Sequence, residues 1–420
     1  MIRKKFNKLN NYVYEEVLEN GLRIYICKIK RKNIFAEMTV LYGSKDTEFK
    51  KEEDKNFIKT YTGTAHFLEH LIYTKDGDFD PAEIYNKNSA SHNAYTNKTV
   101  TAYHFYGPRN FGENLNTLLK CVTTLNITKK DVDKERNIIR QELLKYEDNP
   151  SFISDTKCLE NTIIEDSYRY DTGGKVSDLD KIDLKMIKTC FDYFYKTSNM
   201  FLVIAGNVNP EKVIKQVKEF YQTKKFENFN VIRKEYREPL KVLKDKEIIK
   251  RDVNNKYISI NYKMNKPKID EYKLRVYLNA FLTLKLGSLT KIYEDILKDP
   301  NYISDINFST FHTKTHSYLN FEVTVQNAPE QVIKLIDDTL KDEEINTKYT
   351  EIYKKLMIKN LILDFENSSR VAALIESDLL KYKKVYYDIY SKIKSLDVLD
   401  FKDFIKNLNF SNRSYVIVEK

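Results

Sequence analysis

Two stretches half a chain apart set the architecture. FDYFYKTSNMFLVIAG at Phe191–Gly206 and FKDFIKNLNFSNRSYVIVEK at Phe401–Lys420 each run from an aromatic-studded helical pattern, through Ser-Asn, into an apolar strand. Helix-loop-strand units are common, so coincidence is the competing explanation. Recurrence at half the chain length points instead to two copies of one α+β domain. A chain of 420 residues exceeds the size at which one hydrophobic core stops growing, which also calls for two domains. The lysine-rich stretch RKEYREPLKVLKDKEIIKRD, with Pro239 inside it, is the candidate linker. The expected division is therefore residues 1–228, a linker over 229–248, and residues 249–420.

Within the first half, Asn20-Gly21 reads as a turn before a β-rich run, and FAEMTVLYGS as a second strand closing on Gly43. Asp76 to Asn88 reads as helical, and SHNAYTNKTVTAYHFYG as a strand or hairpin. NFGENLNTLLKCVTTL and KKDVDKERNIIRQELLKYE both place apolar residues at helical spacing, and MFLVIAG reads as a buried strand.

Composition excludes several function classes. Charged residues make up 31% of the chain and hydrophobic ones 41%, the balance of a globular protein rather than a disordered one. No window is long and apolar enough to span a membrane, and the basic start is not followed by an apolar core of signal length. A cytoplasmic location and no membrane partner are expected. Cys27, Cys121, Cys158 and Cys190 form no C-x-x-C pair, so they are expected as reduced, buried side chains. The net charge of +10 comes from 71 basic and 61 acidic residues interleaved along the chain. That is a solvated surface rather than a nucleic-acid footprint, so no nucleic-acid partner is expected.

Against that background HFLEH, residues 66–70, stands out in a chain with six histidines. On a helix His66 and His70 lie at i and i+4, one above the other, which lets two imidazoles grip one ion. Glu69 is placed for a water beside that ion. A hydrolytic zinc site needs protein ligands that leave one position open, and a carboxylate that takes a proton from the water and later returns it to the leaving amine. Two histidines on an ordinary amphipathic helix would satisfy the same pattern, so a third ligand decides. In DVDKERNIIRQELLKYEDNP, Glu135 and Glu142 are seven residues apart and share a helix face, while Glu147 is rotated away. One can bind metal and the other support it. Spacing does not say which.

HFLEH, ASHNAYTNKTVTAYHF and KERNIIRQEL, in that order, resemble the inverted-motif zinc peptidases of the insulinase and pitrilysin family, which includes mitochondrial processing peptidase and its bacterial relatives. The resemblance is nearest to the zinc-bearing subunit of the bacterial two-subunit branch. It implies an α+β fold of two homologous domains, each an antiparallel-rich sheet with helices packed on one face, forming half of a clam-shell chamber. It makes residues 1–228 the zinc-binding domain and 249–420 a metal-free copy. It implies Zn2+ as cofactor, held by His66, His70 and Glu142, with Glu69 as general base and Glu135 supporting from behind. Asn93 and Ala94 fall where the family holds a peptide substrate by strand addition. His92 and His104 are expected to pack or face solvent rather than to bind metal.

One departure bears on partners. Active relatives carry an Arg and a Tyr in a stretch like L-R-E-K-x-G-L-x-Y. In YEDILKDPNYISD, Leu297 stands at the Arg, Asn301 at the Gly and Ser304 at the Tyr. A shift of one residue puts Lys298 and Asp305 there, which rescues a positive charge without the planar fork of Arg. The resemblance then implies a heterodimer with a homologous subunit that lacks zinc and carries the Arg and Tyr, with a homodimer as the alternative. The competing function is a catalytically inactive scaffold subunit of the same fold, against which an intact HFLEH argues.

Overall fold

The computed structural model describes residues 1–224, 229–287, 290, 293, 303, 305–342, 344 and 348–420. Gly21, at φ +85°, closes the expected Asn-Gly turn in a conformation that glycine adopts without a Cβ penalty. It joins β2 (Tyr12–Val17) to β3 (Arg23–Lys28). These strands join β1 (Ile2–Lys5), β4 (Ile34–Val40), β7 (Ser91–Thr96), β8 (Thr101–Gly107) and β9 (Met200–Gly206) in one sheet, ordered β1-β2-β3-β9-β4-β8-β7. β5 (Glu48–Lys51), β6 (Ile58–Lys59) and β10 (Val231–Arg233) form a small second sheet. The third comprises β11 (Lys246–Lys250), β12 (Lys256–Asn265), β13 (Asp305–His312), β14 (His316–Val325) and β15 (Arg413–Glu419), ordered β11-β15-β12-β14-β13.

The duplication is written in this topology. β3-β9-β4-β8-β7 and β11-β15-β12-β14-β13 share one pairing pattern, in which the first pair is parallel and the other three antiparallel. The helices repeat too. The long helix α4 (Lys129–Glu147) is followed by Asn149, whose side chain caps α5 (Pro150–Thr162). Likewise helix Lys348–Asp364 is followed by Asn367, whose side chain caps helix Ser368–Tyr382. The fold is α+β with two homologous domains.

Leu202 and Ile204 of β9 join Ile24, Ile26, Ala36, Met38 and Val40 in the main core, on the face covered by α1 (Thr64–Ile72), α2 (Pro81–Lys87), α3 (Phe111–Thr123) and helices Leu184–Phe194 and Pro210–Tyr221. Phe201, Val203 and Ala205 alternate to the opposite face. Helix Ser368–Tyr382 packs there, on β3, β4 and β9, burying its own Val371, Ala372 and Ile375. β4 and β9 are consequently buried at every residue, which is why β9 reads as an unbroken apolar run rather than an alternating one, while β4 places Glu37 and Thr39 among its apolar residues.

The compact units therefore do not follow the chain. One comprises Met1–Leu143, Asp171–Lys234 and Ile358–Lys392, the other Leu144–Tyr170, Glu235–Met357 and Ile393–Lys420. Each unit takes one helix from the other half of the chain because its sheet has a second apolar face to cover. Residues 229–248 contribute strand structure near both ends. β10 pairs with β5 at one end, and β11 begins at Lys246. All four cysteines are buried and unpaired.

Candidate metal centre

α1 buries Thr64, Ala65, Phe67, Leu68, Leu71 and Ile72, and its other flank carries His66, Glu69 and His70. Its start is set by backbone contact rather than by a side-chain cap. Gly63, at φ +81°, is the N-cap residue, and a Cβ on it would lie 2.2 Å from the carbonyl oxygen of Gly173. Gly174, also at φ +81°, would meet the Gly63 nitrogen at 2.5 Å. No side chain fits between these backbones, so the loop 171–174 seats the N-terminus of the helix.

α4 supplies the acids, with Val132, Ile139 and Leu143 buried beneath it. Glu135 Oε1 lies 2.9 Å from His70 Nδ1, which turns His70 Nε2 toward His66 Nε2, 3.3 Å away. Glu142 Oε2 completes the group, 3.4 Å from His70 Nε2 and 3.9 Å from His66 Nε2. Among the described residues this is the group of three that could hold a metal ion, its ligand atoms all within 4.8 Å of one another. Ligands about 2.0–2.1 Å from a tetrahedral ion stand roughly 3.3 Å apart, so the spacing suits one. The electrostatics agree. Burial, and then the neighbouring His70, push His66 down to about 4, so its ring is neutral at pH 7, and its buried Nδ1 has no hydrogen-bond partner. At His70 burial pulls the pKa down, but the Glu135 hydrogen bond and the surrounding carboxylates outweigh it and the net shift is upward.

Glu69 Oε2 accepts a hydrogen bond from Thr96 Oγ1 at 2.6 Å. Burial raises the Glu69 pKa despite that bond, which makes proton uptake there easier than at an exposed carboxylate. Asn93 and Ala94 lie in β7, the edge strand beside α1, where Tyr73 Oη donates to the Asn93 carbonyl at 3.4 Å. His92 stacks on Tyr85 with ring centroids 4.9 Å apart. His104 Nδ1 lies 3.4 Å from Glu37 Oε2 without hydrogen-bond alignment. Neither belongs to the metal-binding group. Leu297, Lys298, Asn301 and Ser304 lie outside the described residues, and Asp305 opens β13.

Sequence reasoning missed Thr96 and the Gly63–Gly174 contact. Thr96 was within reach of strand alternation, since it shares a face with Ala94 two residues earlier. The glycine contact joins residues more than a hundred positions apart and leaves no local signal.

A duplicated α+β scaffold bearing an H-x-x-E-H helix and a distal helical glutamate in its first copy defines the inverted-motif metallopeptidase class. The family model "Insulinase (Peptidase family M16)" matches residues 58–176, and "Peptidase M16 inactive domain" matches residues 181–351. The chain belongs to the insulinase family, M16. It is 29% identical over 408 residues to the uncharacterized zinc protease YmfH of Bacillus subtilis (strain 168), covering 95% of this chain and 94% of that one. It is 21% identical to mitochondrial-processing peptidase subunit beta of Caenorhabditis elegans, over 86% and 81% of the two chains. An M16-like peptidase of Alicyclobacillus acidocaldarius has the same fold, with a TM-score of 0.91 at 21% identity, covering 99% of this chain and all of that one.

Proposed function

We propose that this chain is a zinc metallo-endopeptidase that hydrolyses unstructured peptides. His66, His70 and Glu142 would hold the ion, Glu135 would orient His70, and residues 1–228 would form the zinc-binding domain ahead of a linker at 229–248 and a metal-free domain at 249–420. The observation that carries this reading is the trio of ligand atoms at tetrahedral spacing with Glu69 beside it. A zinc ion there would supply a Lewis acid that activates a water and polarises the scissile carbonyl. Glu69, its Oε2 tied to Thr96, takes the proton of that water and later gives it to the leaving amine. The peptide adds as a strand to β7 along Asn93 and Ala94, so backbone hydrogen bonds hold it and side-chain preference is loose.

The reading includes a homologous partner subunit carrying the Arg and Tyr that this chain lacks at Leu297 and Ser304, with a homodimer as the alternative. The similarity to a protein named as a subunit of a processing peptidase supports it. It also includes a cytoplasmic location. Among the described residues no helix is long and apolar enough to cross a membrane, and four unpaired buried cysteines suit a reducing compartment.

The test is zinc content and peptide cleavage for wild type and Glu69→Gln, each alone and with a zinc-less homologue from the same source. One zinc in both variants, with efficient cleavage only by wild type plus partner, supports the whole reading. Full cleavage by the isolated chain removes the partner. No zinc, or equal cleavage by Glu69→Gln, removes the peptidase and leaves a scaffold subunit.

A further inference from the structure

β7 is an edge strand of six residues, hydrogen-bonded to β8 alone. A ladder on one side holds a strand weakly, yet the proposed reaction asks this strand to position both substrate and base. Two adjacent side chains, pointing to opposite faces of the sheet, supply what the ladder lacks. Thr96 donates to Glu69 Oε2 at 2.6 Å on the α1 side. Tyr95 donates to Glu376 Oε1 at 2.7 Å on the other.

Glu376 comes from helix Ser368–Tyr382 and is 7% exposed. That helix otherwise presents Val371, Ala372, Ile375 and Leu379 as buried apolar residues. A carboxyl in such a setting is costly unless bonded, and this one is bonded. Thr39 Oγ1 of β4 also donates to Oε1, at 3.3 Å, and the carboxyl of Glu37, likewise on β4, lies close enough to raise the Glu376 pKa. The titratable groups facing Glu376 are thus Glu37 from β4 and Tyr95 from β7, with His104 of β8 beside Glu37.

We propose that Glu376 is a positioning residue of the active site: through Tyr95 it fixes β7, and through β7 it fixes the Thr96–Glu69 hydrogen bond. The proposal rests on the peptidase reading. It assigns the late helix a part in the chemistry although that helix touches neither the base nor the metal-binding trio. Burial and the Glu37 charge push the Glu376 pKa up to about 7. Glu376 therefore loses its proton as pH rises through neutrality, and its new charge beside the Glu37 carboxyl loosens the anchor.

The experiment compares wild type, Glu376→Leu, Glu376→Gln and Tyr95→Phe in the full chain, with the partner subunit wherever wild type needs one. Zinc content, kcat and KM for a peptide, and amide hydrogen exchange in β7 are measured between pH 6 and 8.5. Glu376→Leu should keep wild-type zinc, lose about 10- to 100-fold in kcat/KM, and exchange faster in β7. Glu376→Gln keeps the acceptor without a titrating proton, so it should restore activity, and the ratio of wild-type to Gln activity should fall as pH rises through about 7. Wild-type kinetics and β7 exchange in Glu376→Leu overturn the proposal, as does failure of Gln to restore what Leu loses. If Glu376→Leu does not fold, Tyr95→Phe decides, since wild-type kinetics in that variant also overturn it. If wild type binds no zinc or cleaves nothing, the peptidase reading fails by itself, and β7 exchange still shows whether Glu376 holds the strand.

Discussion

Truncating Glu238 should damage the chain more than truncating Lys263, although the two form one ion pair. Their side chains are 3% and 0% exposed. The Glu238 carboxylate accepts from the backbone N–H groups of Ile164 at 2.9 Å, Glu165 at 2.8 Å and Asp166 at 3.0 Å, and from Lys263 Nζ. Lys263 also donates to the carbonyls of Thr162 and Lys241, each at 3.1 Å. Glu238→Ala leaves a buried ammonium without its counter-charge and three N–H groups without an acceptor, a change that costs about 3–5 kcal/mol. Lys263→Met removes all three bonds of the ammonium, but the carboxylate keeps its three N–H donors and the two freed carbonyls are neutral, so no charge is left bare and the cost is about 1.5–3 kcal/mol. Once Glu238 is gone, the buried lysine is a liability, since burial already lowers its pKa. Adding Lys263→Met to Glu238→Ala should then cost nothing further or recover stability, a coupling of at least about 1.5 kcal/mol. The chain has no tryptophan, so urea unfolding is best followed by circular dichroism, reading the midpoint at unchanged slope. Additive losses, or a lysine truncation as costly as the glutamate one, would refute the reasoning.

Acid should weaken the same anchor. Burial pushes the Glu238 pKa up, but its N–H donors and Lys263 outweigh that and the net shift is downward. The contribution is therefore complete above the ordinary carboxylate value of about 4.3 and is lost as pH falls through the lower folded value. The difference in urea midpoint between wild type and Glu238→Ala should shrink accordingly below about pH 4. Glu135→Ala, which frees the His70 ring, should weaken zinc binding about 10- to 100-fold in chelator competition. Gly174→Ala forces a Cβ into the 2.5 Å approach to Gly63 and a positive φ that costs about 1–2 kcal/mol by itself. It should lower the melting temperature and the retained zinc together. Burial pushes the Cys158 thiol up to about 12, so alkylation at pH 8 should run at least about a thousandfold slower in the native chain than in urea.

What the sequence disclosed was what local spacing encodes. His66 and His70 at i, i+4 and Glu135 and Glu142 at i, i+7 are helix-face relations, and they survive whatever the tertiary structure does. The closing unit betrayed the duplication because MFLVIAG and SYVIVE each pair on both sides in the middle of a sheet. The expected helix over Asp76 to Asn88 fails locally. Asp80 caps a helix that starts only at Pro81, and Asp76–Phe79 is a turn around Gly77 at φ +56°. The exchange of α5 and helix Ser368–Tyr382 was hidden for another reason. An apolar helix face announces that it needs cover without saying which sheet provides it. Thr39, Tyr95 and Glu376 read alone as surface polar residues; only the sheet register puts two hydroxyls opposite one carboxyl.

The repeated five-strand scaffold separates what the fold requires from what the chemistry requires. In the first copy the connection from β4 to β7 contains α1, whose polar flank carries the two histidines. In the second, the connection from β12 to β13 contains helix Glu271–Leu286, which buries Tyr272, Leu274, Val276, Tyr277, Leu278, Phe281 and Leu282 and has no histidine at all. The second copy's histidines sit instead in the β13–β14 hairpin, where His312 Nδ1 meets Ser317 Oγ at 2.9 Å and His316 Nδ1 meets Thr315 Oγ1 at 2.8 Å. A helix apolar on most of its circumference packs well but offers no ligand atoms. A helix that keeps two imidazoles and a carboxylate half-buried gives up packing, and with the distal Glu142 it gathers three ligand atoms within 4.8 Å of one another, a grouping whose crowding a shared ion relieves. That asymmetry between two copies of one fold is the physical reason to expect one metal ion per chain, in the first copy.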